Sequence, residues 1–360
     1  MNSFDAIVIG GGLAGSCAAI NLAKRGLCVA LLEAGSFPRH KVCGEFLSPE
    51  ARPVLRRLGV EEELLEKGAR EVSLTRLVLG NDFLEVPLPS PALAVSRLVL
   101  DEVLWNRARQ GGAHCLEKTR VRGWQKQDEF CVQTSKGEFH SPGLIEASGR
   151  RNTHQNKARF LGLKTHWHGL DLQEGVTELH VFEGGYCGLV RVEGGLTNVC
   201  LLVRYEMWQR SGGKSPQEFF EQILQQCPLL ARRIAKAELA HSWLATGNVQ
   251  FDAANYENAG LSGILQCGDA ARFIHPFTGD GMAMALRAGE LAGATLAARF
   301  NEGDASLLFA GAWRRQFRAR LNWAGALAPL FLQPTAARVA LQATKTFPAL
   351  APFLVTKTRS

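Results

Sequence analysis

The stretch DAIVIGGGLAGSCAAINLAKRGLCVALLEAG, residues 5–35, decides the fold of this chain. It opens with a short β-branched run at 6–9, which predicts a buried parallel strand, and a helical pattern follows over 13–25. A second apolar run at 28–32 ends at Glu33. The order strand, glycine turn, helix, strand and acid predicts the βαβ unit that begins a doubly wound α/β fold.

Three glycines in the turn have separate physical tasks. Gly10 permits a tight turn, Gly12 lets the backbone approach a pyrophosphate, and Gly15 lets the helix pack closely on the strand. The unpaired N–H groups at the start of the helix favour the negative charge of phosphates. Glu33, eighteen residues after Gly15, is placed to accept hydrogen bonds from an adenosine ribose. The pattern therefore predicts a dinucleotide site.

Composition and cysteine spacing restrict the class of protein. Apolar residues make up 46% of the 360 positions and charged residues 21%, which predicts a large core and enough chain for two domains. The nine cysteines form no Cys-x-x-Cys pair, so we expect neither a disulfide framework nor a metal site. The early first strand leaves no room for a signal peptide, and no apolar run is long enough to span a membrane. We therefore expect a cytoplasmic protein.

The positive charge is concentrated at the C-terminal end. The net charge is +7, and residues 301–360 contribute +6 of it, yet no nucleic-acid-reading motif accompanies them. Trp313, Phe317, Leu321 and Ala324 form an apolar helical stripe beside several arginines. Two interpretations are open: a helical lid with solvated arginines, or a basic interfacial helix that meets anionic lipid or a carrier-bound substrate. Nucleic acid is not an expected partner.

Beyond the first unit, the sequence predicts a second, β-rich region. Residues 72–95 alternate like antiparallel strands that leave the first domain, and an amphipathic helix over 96–111 returns to it. Other elements are predicted at 49–58, 120–124, 130–134, 144–149, 176–182, 188–192, 197–203 and 216–226. The expected domains are a discontinuous first domain of residues 1–71, 96–154 and 255–300, a substrate domain of residues 72–95 and 155–254, and a helical basic segment of residues 301–360.

A second informative stretch is CGDAARFIHPFTGDGMAMALRAGELAGATLAARF, residues 267–300. Gly268 and Asp269 follow a predicted strand at 263–265, and a proline-containing loop comes next. Gly281 then opens a long helix of small residues, whose surface can pack close to a flat ligand or to another helix.

Together, the two stretches resemble the flavoprotein superfamily of aromatic hydroxylases, geranylgeranyl reductases and flavin-dependent halogenases, over essentially residues 1–300. The resemblance implies a Rossmann-like FAD-binding domain, an inserted β-rich (α+β) substrate domain, and FAD as cofactor. In this family Asp269 would bond the ribityl chain, and Arg97 matches a flavin-phosphate arginine. The positions that match FAD-binding residues are Gly10, Gly12, Gly15, Glu33, Arg97, Gly268, Asp269, Pro276, Gly279, Gly281 and Met282.

The motifs leave the reaction open. Residues 40–45, HKVCGE, resemble a stretch near the flavin in geranylgeranyl-reductase-like enzymes, which slightly favours double-bond reduction of a lipid-, isoprenoid- or polyketide-like substrate. The Trp-x-Trp-x-Ile-Pro motif of halogenases is absent, which argues against halogenation, and so is the Tyr-x-Trp-x-Phe-Pro element of the reductases. A monooxygenase that uses NAD(P)H and O2 is the alternative, and a non-catalytic flavin- or lipid-binding protein is a hypothesis of another class. The electron donor and the oligomeric state are left open.

Cys43 and His275 are the candidate catalytic residues. In a reductase, either side chain could protonate the carbon beside the one that receives hydride. Cys43 could equally be a small packing residue, and His275 a solvent-facing loop histidine. Glu45 is expected to orient the flavin region or to cap a surface helix, and His166 and His168 to form a pair on the surface of a strand.

Overall fold

The computed structural model describes residues 2–149, 159–213, 215–249, 251, 263–300 and 304–347. The strands are β1 Asn2–Ser3, β2 Ala6–Ile9, β3 Val29–Leu32, β4 Phe46–Leu47, β5 Arg70–Leu79, β6 Asp82–Ala94, β7 His114–Leu116, β8 Val121–Lys126, β9 Phe130–Thr134, β10 Gly137–Ser141, β11 Gly143–Glu146, β12 Phe160–His168, β13 Val176–Phe182, β14 Gly185–Arg191, β15 Leu196–Arg204, β16 Glu238–Leu239, β17 Leu244–Val249 and β18 Ile264–Gln266. The helices are α1 Leu13–Ala23, α2 Arg52–Leu58, α3 Glu61–Glu66, α4 Arg97–Gln110, α5 Tyr205–Arg210, α6 Pro216–Gln226, α7 Pro228–Ile234, α8 Gly281–Ala298, α9 Ser306–Leu327 and α10 Pro334–Thr346.

A five-stranded parallel sheet in the order β18-β11-β2-β3-β7 carries the first sequence motif. Its strands are apolar on both sides, and all four residues of β2 and of β3 are buried. On one face lie α1, α4 and α8, and a close approach of α8 to α1 needs Gly289, because a methyl group there would overlap the carbonyl oxygen of Ala14. The small-residue helix thus packs against another helix.

A four-stranded sheet in the order β1-β10-β9-β8 covers the opposite face of the parallel sheet. Phe130, Val132 and Phe139 are buried against Ile7 and Ile9 of β2. The predicted α/β class is therefore confirmed, with one refinement: a small antiparallel sheet occupies the face where a doubly wound fold would carry further helices.

A nine-stranded mixed sheet forms the second half of the molecule, in the order β16-β12-β15-β14-β13-β5-β6-β4 with β17 paired to β12. Residues 70–94 join residues 160–249 in this sheet, because β5 pairs in parallel with β13. Helices α6 and α7 pack on one face, where Trp167 lies near Phe220. The predicted domain limits at 154/155 and 254/255 lie outside the described residues, and the domain division stays a prediction.

The C-terminal helices α9 and α10 pack on the rest of the chain. Trp313, Phe317, Leu321 and Ala324 are all buried in the core around α1 and α8, while Arg314 and its neighbours face solvent. The apolar stripe therefore behaves as the lid interpretation expects. Among the described helices, none combines the length and the apolar character that crossing a membrane requires. Lys357 and Arg359, two cations of the basic segment 301–360, lie outside the described residues.

Candidate active site

A cavity of about 1170 Å³ lies between the parallel sheet and the nine-stranded sheet. One end is formed where four parallel strands finish, and it is lined there by Gly10, Glu33, Ala147 and Gly268. Open α/β sheets bind ligands outside the carboxyl ends of their strands. The other end is lined by the nine-stranded sheet and by the C-terminal helices. These two regions are called here the strand-end region and the apolar region.

The glycine turn has the geometry that the sequence predicts. Gly10 has a φ of 98°, and a methyl group on it would overlap the carbonyl oxygen of Ala147. A methyl group on Gly15 would overlap the carbonyl oxygen of Gly10. Gly12 precedes the first residue of α1 and lines the cavity. A phosphate could therefore approach the backbone at the start of α1 closely, as a dinucleotide pyrophosphate requires.

Glu33 is buried at the end of β3 and already organises the turn. Its carboxylate accepts hydrogen bonds from the backbone N–H groups of Gly11 at 3.0 Å and Gly35 at 2.8 Å, and Arg39 forms an ion pair with it at 2.9 Å. A carboxylate has about four lone-pair sites, so these three contacts leave about one site for a ribose hydroxyl group. Arg39 also lines the cavity, and sequence reasoning gave it no role.

Arg97 belongs to a charged group that the sequence indicated only in part. Its guanidinium binds Asp101 through two hydrogen bonds of 2.8 and 2.9 Å, and Lys41 pairs with the same carboxylate at 2.8 Å. Burial alone would raise the pKa of Asp101, but the charges of Arg97 and Lys41 outweigh it and lower that pKa. The Lys41 ammonium also lies beside Gly12: its nitrogen is 3.4 Å from the position that a methyl group on Gly12 would take.

These three side chains carry one net positive charge at the glycine turn. Arg97 and Lys41 line the cavity, and Asp101 lies fully buried behind them. Two cations fixed by one carboxylate suit the phosphates of a dinucleotide. Lys41 belongs to the stretch 40–45 that resembles a segment near the flavin, but it was not among the predicted FAD-binding positions.

The second motif lines the same cavity. The loop before α8 turns at Gly279, whose φ is 69° and where a methyl group would meet the ring of Phe46 at 2.6 Å. The N-terminus of α8 faces the cavity, where its dipole favours negative charge. The predicted residues of this motif that line the cavity are Gly268, Asp269, Pro276, Gly279, Gly281 and Met282. Their individual roles stay predictions.

Cys43 and His275 differ in their positions. The Cys43 thiol lines the cavity and lies 3.6 Å from the sulfur of Met282. The His275 side chain is 5% exposed and lies among the rings of Phe251, Phe277 and Tyr186, at centroid distances of 4.2, 4.9 and 6.5 Å. His275 is thus no solvent-facing loop residue.

The surroundings of His275 do not support its predicted role as a proton donor. Within the described parts of the chain, neither ring nitrogen has a hydrogen-bond partner, and the ring does not line the cavity. Burial lowers the pKa of His275 to about 3, so the ring is neutral near pH 7. His275 therefore lies outside the cavity lining, and its role as a proton donor stays a prediction.

Glu45 and His166 are also placed differently from the expectation. Glu45 is fully buried and lines the cavity, and it does cap a helix, because its carboxylate accepts the backbone N–H of Arg97 at the start of α4. His166 is 1% exposed and bonds to Glu45, whereas His168 is exposed. The expected surface pair of histidines is therefore wrong, because β12 turns His166 inward toward a buried carboxylate.

The apolar region has a different lining. Strands β5, β6 and β13–β15 contribute cavity-lining residues such as Leu77, Val86, Leu179 and Leu202, and none of their residues at the cavity is charged within the described chain. The C-terminal helices complete this region with Leu327, Leu330, Phe331, Ala337, Ala340, Leu341 and Thr344. Such a lining suits an apolar molecule.

Fold and site together define an FAD-dependent oxidoreductase. The family model described as FAD binding domain matches residues 3–322, so the chain belongs to this family. The residues present fit the cofactor: the glycine turn leaves backbone room for a pyrophosphate, and two cations lie beside it. Bound FAD supplies the redox chemistry, and the protein supplies its position and electrostatics.

Several known proteins are similar to this chain. Flavin-dependent halogenase armH1 of Armillaria mellea is 29% identical over 349 residues, covering 82% of this chain and 65% of the relative. The 1H-pyrrole-2-carbonyl-(peptidyl-carrier protein) brominase of Pseudoalteromonas luteoviolacea is 23% identical, covering 89% and 82%. The structure of flavin-dependent brominase Bmp2 matches with a TM-score of 0.84 and 19% identity over 99% of this chain and 93% of that one, which shows a shared fold. The chain thus spans just under two thirds of the armH1 sequence.

Proposed function

We propose that this FAD-dependent oxidoreductase uses reduced FAD and O2 to modify a small apolar substrate. The observation that carries the proposal is the continuity of the cavity. The strand-end region, which fits the cofactor, opens directly into a region without charged lining residues in the described chain. A substrate in the apolar region would lie next to the loop before α8, whose Pro276, Gly279 and Gly281 match FAD-binding positions of the family.

Oxygen-dependent chemistry replaces the initial preference for double-bond reduction. The named relatives include a flavin-dependent halogenase and a brominase. Forming a carbon–halogen bond from halide is an oxidation that needs an oxidant such as O2, and this supports the monooxygenase-type alternative. Their names also weaken the argument against halogenation from the missing Trp-x-Trp-x-Ile-Pro motif. Halogenation is therefore the second candidate function, beside hydroxylation.

The substrate is proposed to be neutral and apolar, either free or tethered to a carrier protein. The tethered form is supported by the brominase relative, whose name specifies a carrier-bound substrate. The basic surface of α9, with Arg314, Arg315 and Arg318 exposed, would suit an acidic carrier. Contact of the same surface with an anionic membrane stays a prediction from the sequence.

Product analysis tests the proposal. The FAD-loaded protein would be supplied with a flavin-reducing system, O2, bromide and a panel of small aromatic compounds, and the products analysed by mass spectrometry. A bromine isotope pattern supports halogenation, and a gain of one oxygen atom supports hydroxylation. A gain of two hydrogens that proceeds equally well without O2 would overturn the proposal in favour of reduction.

A further inference from the structure

Behind the strand-end region lies a cluster of buried ionisable side chains that cofactor binding does not explain. The Glu45 carboxylate is fully buried and receives hydrogen bonds from two other elements besides its own loop. One oxygen accepts the backbone N–H of Arg97 at 2.8 Å and the ammonium of Lys164, and the other lies 2.7 Å from Nε2 of His166. Lys164 and His166 are themselves buried on β12.

Burying these charged groups costs free energy, which indicates that the cluster has a function. Lys164 has no exposed surface, and its ammonium also donates to the carbonyl oxygen of Lys41 at 3.2 Å. Removing such charges from water carries a large desolvation penalty. Glu45 also has a φ of 56°, a left-handed conformation that is unfavourable for a residue other than glycine. A fold keeps strained and buried ionic residues most often at functional sites.

Two further imidazole rings connect this cluster with solvent. The His166 ring lies 5.6 Å from the ring of His40 and 5.7 Å from that of His241, and the rings of His40 and His241 are 4.8 Å apart, measured between centroids. His241 is exposed, His40 is half-buried, and His166 is buried. The three rings therefore lead from the surface to Glu45, whose side chain reaches the cavity wall.

The charge states of the outer rings suit proton transfer. Burial, with the charge of Lys164 as a further cause, lowers the pKa of His40, and burial with the neighbouring His166 lowers that of His241. A neutral imidazole has one N–H donor and one acceptor nitrogen, so it can take a proton on one side and release one on the other. The ionisable groups that face the three rings are Glu45, Lys164 and, beside His241, His168.

We propose that His241, His40, His166 and Glu45 form a proton path between solvent and the cofactor cavity. A proton from water binds the acceptor nitrogen of His241 and moves through His40 to Nδ1 of His166. His166 then transfers its Nε2 proton along the 2.7 Å hydrogen bond to the Glu45 carboxylate oxygen. The net result is one proton moved from solvent to Glu45, with each ring returned to its starting charge; the reverse sequence releases a proton.

Such a path would serve any reaction of this oxidoreductase, since a two-electron change of its cofactor requires proton uptake or release. The need for this path depends on the cofactor alone and not on whether the reaction is hydroxylation, halogenation or reduction. A bound cofactor and substrate would exclude water from the cavity, and a fixed path for protons then becomes necessary.

The test measures proton exchange at His166 directly. The FAD-loaded protein would be labelled with 15N-histidine, and the exchange of the His166 ring N–H with water measured by NMR in the wild type and in His40→Phe and His241→Gln. We expect exchange at least tenfold slower in both variants. His114→Gln is the matched control, because His114 is an exposed histidine on β7 whose ring contacts Phe4 and none of the three rings, and exchange should be unchanged in it. Wild-type exchange rates in both path variants would overturn the proposal.

A second readout separates the path from a merely structural role. Proton uptake would be followed with a pH-indicator dye during anaerobic photoreduction of the bound FAD. His241→Gln should slow uptake, and added imidazole should restore most of the rate, because a soluble base can replace a missing surface imidazole. Circular dichroism and FAD content establish that the variant is folded. Slow uptake without rescue in a folded variant would contradict the path.

Discussion

The strand-end region and the apolar region share one cavity but are built in different ways. In the strand-end region, charged side chains are fixed by other side chains or by backbone groups, as Glu33 is by Gly11 and Arg97 by Asp101. In the apolar region, described lining residues carry no charge and are positioned mainly by packing, with side-chain hydrogen bonds to the backbone at Thr177 and Thr344. From this difference we expect cofactor affinity to depend on a few polar contacts and substrate selection to depend on the shape of the apolar region.

The largest effect is expected from Gly10→Ala in the strand-end region. The new methyl group would overlap the carbonyl oxygen of Ala147, and alanine strongly disfavours the φ of 98°. We expect FAD affinity to fall roughly 100-fold, about 3 kcal/mol, measured by titration of the apoprotein with FAD. Gly325→Ala is the control, because Gly325 is exposed, does not line the cavity and has open space around it. Wild-type FAD affinity in Gly10→Ala would contradict the placement of FAD in the strand-end region.

Leu341→Trp addresses the apolar region. The larger side chain would occupy part of the chamber, and overpacking costs about 1–3 kcal/mol. We expect KM for an apolar substrate to rise about tenfold or more, while FAD affinity stays at the wild-type value. Val339→Trp, on the same helix but 71% exposed, should change neither constant. An equal loss of FAD affinity in Leu341→Trp would mean that the two regions are not separate.

Lys41→Met sharpens the account of the charged group. It removes one of the two cations that face the glycine turn and leaves Asp101 paired with Arg97 alone. We expect the Kd for FAD to rise about tenfold, roughly 1.4 kcal/mol, and to depend less on salt concentration. Lys67→Met, at an exposed lysine away from the cavity, is the control. An unchanged Kd and salt dependence would show that Lys41 does not contact the cofactor.

The smallest effect concerns His275, whose pKa is lowered by burial from 6.5 to about 3. Because the unfolded chain binds a proton more readily in this interval, stability falls as the pH drops from 6.5 toward 3. The loss is at most about 1.4 kcal/mol per pH unit. When the pH is lowered from 7.5 to 5.5, the free energy of unfolding of His275→Phe should therefore fall by about 1 kcal/mol less than that of the wild type, as measured by urea unfolding. His168→Phe, at an exposed histidine, should keep the wild-type slope.

The sequence predicts the strand-end region well because its information is local. The turn at Gly10 and the acid at Glu33 belong to one continuous strand–helix–strand unit, and the start of α8 at Gly281 to a continuous loop and helix, so motif spacing is sufficient to predict their positions. The α/β class follows from the same units, and FAD as cofactor is confirmed by the family match.

The remaining features depend on contacts between distant parts of the chain. Lys41 meets Asp101 and Glu45 meets His166 across gaps of 60 and 121 residues, which no spacing rule predicts. His275 shows the same limit: its loop position indicated solvent, but aromatic residues from other elements enclose its ring. The reaction also stayed open, since an apolar chamber identifies a substrate class and no chemical step.

The most direct test of the account is a single turnover of the reduced, FAD-loaded protein with O2 and a bound apolar substrate. The protein would be reduced without oxygen and mixed with a stoichiometric amount of O2 in a buffer that contains bromide, and hydrogen peroxide would be measured with and without the substrate. We predict that a substrate bound in the apolar region lowers the peroxide yield and appears as an oxygenated or halogenated product. If the substrate instead reoxidises the reduced protein without O2 and leaves the peroxide yield unchanged, the oxygen-dependent account is wrong.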